Sequence, residues 1–322
     1  MAAQAPRERR GVTVLRAAGR VALFFLVLAV LWGLWEGYRW LWIHEHWTWP
    51  FVVVLAALWG LWEGYRWLWI HEGWTWPFVV NDTTMPHLSD IFAALWGSAS
   101  PGGVGPRLIT VLTKGALFTA KEAAVGFAIG ALVGFALGAV LAQFRLLRRG
   151  LLPWIVASQT VPILVVAPMV VVWANPKLPD SLKDWGAVAL IAAYLTFFPV
   201  TVNTIRGLNS ADRRALELMR SYAAGNWRIL WKLRFPAALP YIFAALKVGA
   251  TASVVGALIG ELPSSIPNGL GAQIINFSQY YTTEPRGLWA TNLIAAALGI
   301  SFFLIIVIIE KLVVHRAPEN LV

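Results

Sequence analysis

Long apolar runs set apart by short polar stretches dominate this chain. Val111–Phe144, Leu151–Trp173, Trp185–Val202, Ala237–Ile259 and Leu288–Val314 approach or exceed the roughly 20 residues that a helix needs to cross a bilayer. A further run, Val21–Val30, follows a basic N-terminus. Backbone polar groups in lipid must be satisfied within their own segment, so runs of this length predict helices. Composition agrees. Of 322 residues 58% are hydrophobic and 13% charged, against about a quarter charged in soluble domains. The expected fold is an all-α integral membrane protein with about six transmembrane helices.

Residues 1–20 are polar and basic, and no small-residue cleavage site follows the first apolar run, so it reads as a retained span. Residues 27–53 and 54–80 are a tandem repeat of 27 residues, differing only at Val30/Ala57 and His46/Gly73. Together the copies hold 12 of the chain's 19 Trp, placed as in an interfacial aromatic belt. Near-identity of this degree indicates a recent duplication rather than a solenoid. Within the copies, Glu36 with Arg39 and Glu63 with Arg66 have helical ion-pair spacing. The domain plan is a basic N-terminus (1–20), a first span with the duplication (21–80), an outer loop (81–110), a five-helix core (111–314) and a tail (315–322).

Charge orients these segments. With the N-terminus inside and residues 21–80 crossing once in net terms, Arg145–Arg149, Arg206–Arg234 and Lys311–Arg316 all fall on the cytoplasmic side. The opposite loops balance Lys177, Lys183 and Arg286 against Asp180, Asp184, Glu261 and Glu284. This is the positive-inside pattern, and it accounts for the net charge of +10 without nucleic acid. A full second crossing by the extra copy would invert every later loop or push the basic N-terminus outside, so 54–80 is expected to be a partial, interfacial or re-entrant helix on the outer side, the alternative being a seventh span with the N-terminus outside. Within the first core span, Gly126, Gly130, Gly134 and Gly138 recur at every fourth position and share one helix face, a packing stripe.

Several chemistries are excluded. The chain has no cysteine, no G-x-x-x-x-G-K-[ST] phosphate loop, no H-E-x-x-H and no Ser/His/Asp constellation. His44-Glu45-His46 and His71-Glu72 lie in the Trp belt and read as interfacial polar clusters; no metal site is expected. Ionisable residues within spans reduce to Lys114, Lys121 and Glu122 near one span end and Lys247, placed to snorkel. That scarcity counts against a secondary transporter, the alternative class together with a non-transporting scaffold. Seven basic residues (Arg206, Arg213, Arg214, Arg220, Arg228, Lys232, Arg234) lie between two spans, as in a docking element.

Within that insert, Glu217-Leu218-Met219 is followed by Ala223 and then by Leu233-Arg234-Phe235-Pro236, with nineteen residues from Glu to Pro. Phe198-Pro199, Asn203-Thr204 and Gly207 precede it, and Ala237-Ala238-Leu239-Pro240 follows. Elsewhere stand Val161-Pro162, Pro168 and Trp173, then Gly260-Glu261 before Gly269-Leu270-Gly271, and Gly126-Phe127 before Gly130. Over about residues 85–314 this combination resembles the permease subunits of bacterial binding-protein-dependent ABC importers. It is most similar to the nitrate/sulfonate/taurine branch, whose cytoplasmic signature is E-A-A-x-x-x-G-x(9)-I-x-L-P.

The resemblance implies a type I importer permease without catalytic activity or a cofactor of its own, ATP and Mg being held by the partner. It further implies a bacterial plasma (inner) membrane location with both termini cytoplasmic. Implied partners are a second copy of the chain, a cytoplasmic ATP-binding subunit docked on loop 206–236 and an extracytoplasmic solute-binding protein. The matching positions place ATPase docking on Glu217, Arg220, Ser221, Ala223, Ala224, Gly225 and Pro236. They place a translocation path or gate on Pro162, Pro168, Asn203 and Glu261. The cargo implied is a small sulfonate, nitrate or taurine-like anion, or a pyrimidine or riboflavin-like vitamin precursor.

Local expectations follow for the docking stretch. Glu217–Ala223 and Trp227–Leu233 are expected as helices, with Glu217 near the start of the first, where the helix dipole favours an anion. Ala224-Gly225-Asn226 is the turn signal between them, and Pro236 is expected to stop the second helix. The chain departs from the family pattern in three places. Ala223 stands for the signature glycine, with Gly225 two residues later; Met219 stands for the second small residue; Glu122 stands where an arginine is common.

Overall fold

The computed structural model describes residues 32–33, 36, 49–73, 79–100, 105–183, 185–264 and 267–314. They fall into two compact units, one within residues 1–81 and one from Asp82 onward. Among the described residues the secondary structure is helical apart from a single isolated bridge between Ser98 and Arg107.

In the first unit, α1 (Trp49–His71) runs through the junction of the two repeat copies. It closes at Gly73, whose φ of 63° is left-handed and costs glycine little. The first copy has His46 at this position, so one of the two differences between the copies falls on a helix stop. His46, His44, Glu45 and Arg39 lie outside the described residues. His71 stacks on Trp67, with ring centroids 5.0 Å apart. Among the described residues no group of three or more His, Cys, Asp or Glu could hold a metal ion.

The second unit contains α2 (Leu88–Trp96), α3 (Leu108–Gln143), α4 (Arg145–Ser158), α5 (Ile163–Ala174) and α6 (Gly186–Leu208). It continues with α7 (Arg213–Ser221), α8 (Asn226–Ile229), α9 (Phe235–Glu261), α10 (Leu270–Gln279) and α11 (Pro285–Val313). By length and apolarity α3, α6, the continuous α8–α9 rod and α11 can each cross a membrane. Leu151–Trp173, expected as one span, is instead two helices that meet at 96°. The break follows from Pro162: it lacks an N–H to continue the ladder, and it drives Val161 out of the helical region. Four spans and one broken span lie within the described residues, and the first expected span lies outside them.

At the centre of the bundle α6 is buried between α3 and α9. The glycine stripe makes this possible. A Cβ on Gly130 would lie 2.5 Å from the Ala193 carbonyl oxygen, and one on Gly134 2.6 Å from that of Phe197. One on Gly138 would lie 2.7 Å from Thr204 Cβ, while Gly126 sits directly against Ala189 and Ala192. The two backbones therefore touch from Gly126 to Gly138, and dispersion replaces the hydrophobic drive that lipid removes. On the other flank Gly256 of α9 meets the backbone of Ala192, and Gly249 meets Thr196.

Charge is used sparingly inside the bundle. Lys247 of α9 does not snorkel to the surface, as its sequence position suggests, but pairs with Glu310 of α11 at 2.7 Å, both half-buried. At the far end Leu95, Leu108, Leu112, Leu270, Phe277 and Ala290 form a cluster that ties α2, α3, α10 and α11 together. An Arg286–Asp90 ion pair at 3.5 Å lies at the same end.

Candidate functional site

The insert Glu217–Pro236 is a hairpin standing on the end of the bundle where α6 finishes and α9 begins. Its first arm, α7, starts at Asp212, whose Oδ1 accepts the Arg214 N–H at 3.0 Å as an N-cap. The helix thus begins four residues before Glu217. Glu217 therefore lies in its middle, where its carboxylate accepts from Arg213 Nε at 3.0 Å and has no role at the dipole. Both side chains of that pair are exposed, so it contributes little to stability.

The turn is centred on Ala223, not on Gly225 as the glycine signal predicts. Ala223 has a φ of 53°, the left-handed conformation that strains any residue with a Cβ. Ala223 N–H donates to the Arg220 carbonyl at 2.9 Å, and Ala224 N–H donates to that of Met219 at 3.0 Å. This crossed pair is the Schellman closure, which satisfies carbonyls that a helix end otherwise leaves open. Gly225 is extended (φ −66°, ψ 157°), and a Cβ there would meet nothing within 4 Å.

The second arm is not a separate helix stopped by a proline. Asn226 to Glu261 is one continuous rod, with a π turn at Leu230–Arg234 just before Pro236. The wider turn accommodates Pro236, which has no N–H to donate and whose ring would crowd the Lys232 carbonyl in a regular α-helix. Trp227, Trp231 and Phe235 pack in a row along this arm, Trp227 edge-on to Trp231 and Trp231 tilted against Phe235, with centroids 5.6 and 5.2 Å apart. The base is held to the bundle by Leu208, Ala238 and Ile242, packed with Phe135, Leu230 and Phe235. Ser210 Oγ adds a bond to the Ala237 carbonyl at 3.3 Å.

The result is a stiff lever with an uncovered tip. Tyr222 is 77% exposed, Trp227 72% and Leu218 56%, and Arg220, Ser221, Ala223 and Gly225 are also exposed while Ala224 is half-buried. Rigid aromatics beside basic side chains are the composition of protein-binding surfaces.

A second constellation, at the opposite end of α9, was not anticipated as a unit. Glu261 Oε1 accepts from Thr119 Oγ1 at 2.6 Å and Oε2 accepts from Gly271 N–H at 2.5 Å. Thr119 Oγ1 in turn accepts from Leu270 N–H at 2.9 Å. Gly269 leaves the room that the Glu261 carboxyl fills. Glu122 lies fully buried beside Glu261, and the two carboxyls face each other within hydrogen-bonding reach. The neighbouring Lys121 places its Nζ 4.0 Å over the Trp185 ring. One sequence signal does point to this: Glu122 is four residues before Gly126, on the glycine stripe, and therefore faces the protein interior.

The remaining path residues are spread out. Pro162 caps α5 and Pro168 lies within it, both exposed. Asn203 is half-buried in α6, its Nδ2 donating to the Pro199 carbonyl of its own helix at 2.9 Å.

Residues 130–316 match the family model described as binding-protein-dependent transport system inner membrane component. The chain is 32% identical over 227 residues to the riboflavin transport system permease protein RibX of Chloroflexus aurantiacus, covering 67% of this chain and 79% of that one. To the formylaminopyrimidine transport permease protein ThiX of Halalkalibacterium halodurans it is 31% identical, over 59% of this chain and 72% of that one. To the aliphatic sulfonates transport permease protein SsuC of Bacillus subtilis, a name given as putative, it is 28% identical, over 55% of this chain and 61% of that one.

Proposed function

The chain belongs to the family of binding-protein-dependent transport system inner membrane components, and on that premise we propose that it is the permease half of an ABC importer. Two copies would form the path, with an ATP-binding subunit on the basic hairpin inside and a solute-binding protein outside. ATP and Mg would be bound by the ATP-binding subunit alone, leaving this chain non-catalytic. The observation that carries this reading is the hairpin. Its tip exposes Tyr222 and Trp227, while its second arm runs unbroken into the span that ends at Glu261. Closure of a partner over the tip would move α9 as a rigid body and reach the Glu261–Thr119–Gly271 junction at the far end.

In this reading Pro162 and Pro168 flank the path at the 96° break, Asn203 lies further along α6, and Glu261 braces the outer end. The uncovered α5 side chains Leu164, Val165, Val172 and Trp173 face the second copy. The orientation puts the hairpin and both termini in the cytoplasm, following the distribution of Lys and Arg.

For cargo we propose a small nitrogen heterocycle of the riboflavin or pyrimidine kind. The riboflavin and formylaminopyrimidine permeases, each more than 30% identical to this chain, carry such names. Of the three lysines that the sequence places within spans, Lys247 is taken by Glu310 and Lys121 lies over Trp185, which leaves Lys114, near the start of α3, to hold an anion. A sulfonate is the second reading, on the resemblance to the sulfonate branch.

Gly225 supplies the test. A side chain there has open space within this chain, so Gly225→Leu should fold normally in detergent yet lose its complex with the co-expressed ATP-binding subunit. Because the chain has no cysteine, a single Tyr222→Cys also gives an unambiguous cross-linking probe. Retention of the complex and of uptake by Gly225→Leu would overturn the docking assignment.

A further inference from the structure

Beside the hairpin, the chain leaves α3 at Gln143 through an extended Phe144. This corner, the last turn of α7 and the first turns of the second arm enclose a cavity of about 360 Å³. Its walls are Gln143, Phe144, Arg220, Asn226, Ile229, Leu230 and Arg234. Two guanidinium groups and two amides line it, and no carboxylate does. Arg234 Nε is buried without a hydrogen-bond partner, and among the described residues neither Arg220 nor Arg234 forms an ion pair. The nearest acid on α7, Glu217, is engaged by Arg213.

A buried N–H of a charged group without an acceptor is costly, more so than the same group made apolar. The cavity is therefore built for something the described residues do not provide: a group with two acceptor oxygens. Planar guanidinium groups match a carboxylate in geometry as well as charge. Phe144, Ile229 and Leu230 offer an apolar wall for the methylenes behind it. The cavity also adjoins the turn that exposes Tyr222 and Trp227, so one interface can cover both.

We propose that this cavity receives an aspartate or glutamate side chain of the ATP-binding subunit, gripped between Arg220 and Arg234. The proposal rests on the docking reading above and gives that interface a specific anchor. A carboxylate held here touches both the rod that becomes α9 and the corner at the end of α3. The partner would thereby clamp two spans with one side chain.

The test uses the full-length permease in detergent with its ATP-binding subunit, measuring affinity for Arg220→Glu, Arg234→Glu and Gly225→Leu. Charge reversal at either arginine should weaken binding by at least about tenfold. One acid-to-arginine change among the acidic residues on the subunit's docking face should restore it. Wild-type affinity in both arginine variants, with binding lost in Gly225→Leu, would overturn the anchor and leave the docking reading standing. Wild-type affinity in all three would overturn both. Unchanged subunit binding, with loss of a co-purifying anionic lipid detected by native mass spectrometry, would assign the cavity to a lipid headgroup and overturn the anchor. Thermal unfolding in detergent controls for folding. Should Arg234→Glu fail to fold, Arg220→Glu still decides the matter, because Arg220 is exposed on α7.

Discussion

A Cβ on Gly130 would lie 2.5 Å from a backbone oxygen of α6, whereas one on Gly225 would meet nothing within 4 Å. Ala223, two residues before Gly225, holds the left-handed φ of 53° that normally selects glycine. The α3–α6 seam and the hairpin turn thus use small residues in opposite ways. In the seam the backbone is ordinary helix, and the glycines are required by the distance to the next helix. In the turn there is no close neighbour, and the strain sits on a residue with a side chain. Two hydrogen bonds across the turn hold Ala223 there. The strain they oppose is about 1 kcal/mol. A glycine in such a chain therefore marks contact only where another element lies against it.

The largest effect expected from breaking this contrast is in the seam. Gly130→Leu drives a side chain into the Ala193 backbone and Thr196. It should cost about 3 kcal/mol or more and abolish a monodisperse peak on gel filtration in detergent. Gly299→Ala in α11, where nothing lies within 4 Å, should leave that peak unchanged.

Next comes the junction at the far end of α9. Glu261→Ala would leave the Gly271 N–H without its acceptor and open a hole beside Gly269. A loss of about 2–4 kcal/mol is expected, read as lower thermal stability. Glu122→Gln should be close to neutral, because an amide keeps a donor toward Glu261 without a second ionisable group beside it. A large loss from Glu122→Gln would show that this carboxyl is itself required.

Lys247→Met should cost about 1–3 kcal/mol by leaving Glu310 half-buried and unpaired. Lys247→Met with Glu310→Leu should recover most of that loss; a double-mutant cycle checks it.

The smallest effect returns to the turn. Ala223→Gly should relieve about 1 kcal/mol of local strain, seen as slower hydrogen exchange at Ala224 N–H. Gly225→Ala should leave exchange there as it is. If the two variants behave alike, the turn is not centred on Ala223.

The apolar runs located every long helix in the core, because lipid imposes one rule on each segment separately. The glycine stripe was equally legible: a four-residue period is a property of one helix, and only the partner helix was missing. The turn was misread. Gly225 carries the stronger local signal, but the end of α7, set by its Asp212 cap, decides where the closure falls. Pro236 reads locally as a stop, yet its position after a π turn lets the rod continue. Leu151–Trp173 has enough apolar length for a span, but the length of a run does not register a 96° bend.

What the sequence by itself determined is the number and order of the apolar segments, the basic face, the small-residue stripe and the kinship of the chain. Each depends on neighbours in sequence or on side-chain chemistry. Only the tertiary structure decided that Glu122 meets Glu261, that Lys247 is claimed by Glu310, and that Arg220 and Arg234 line one cavity. Those pairings join residues far apart along the chain, and their partners become apparent only when helix packing has set the distances.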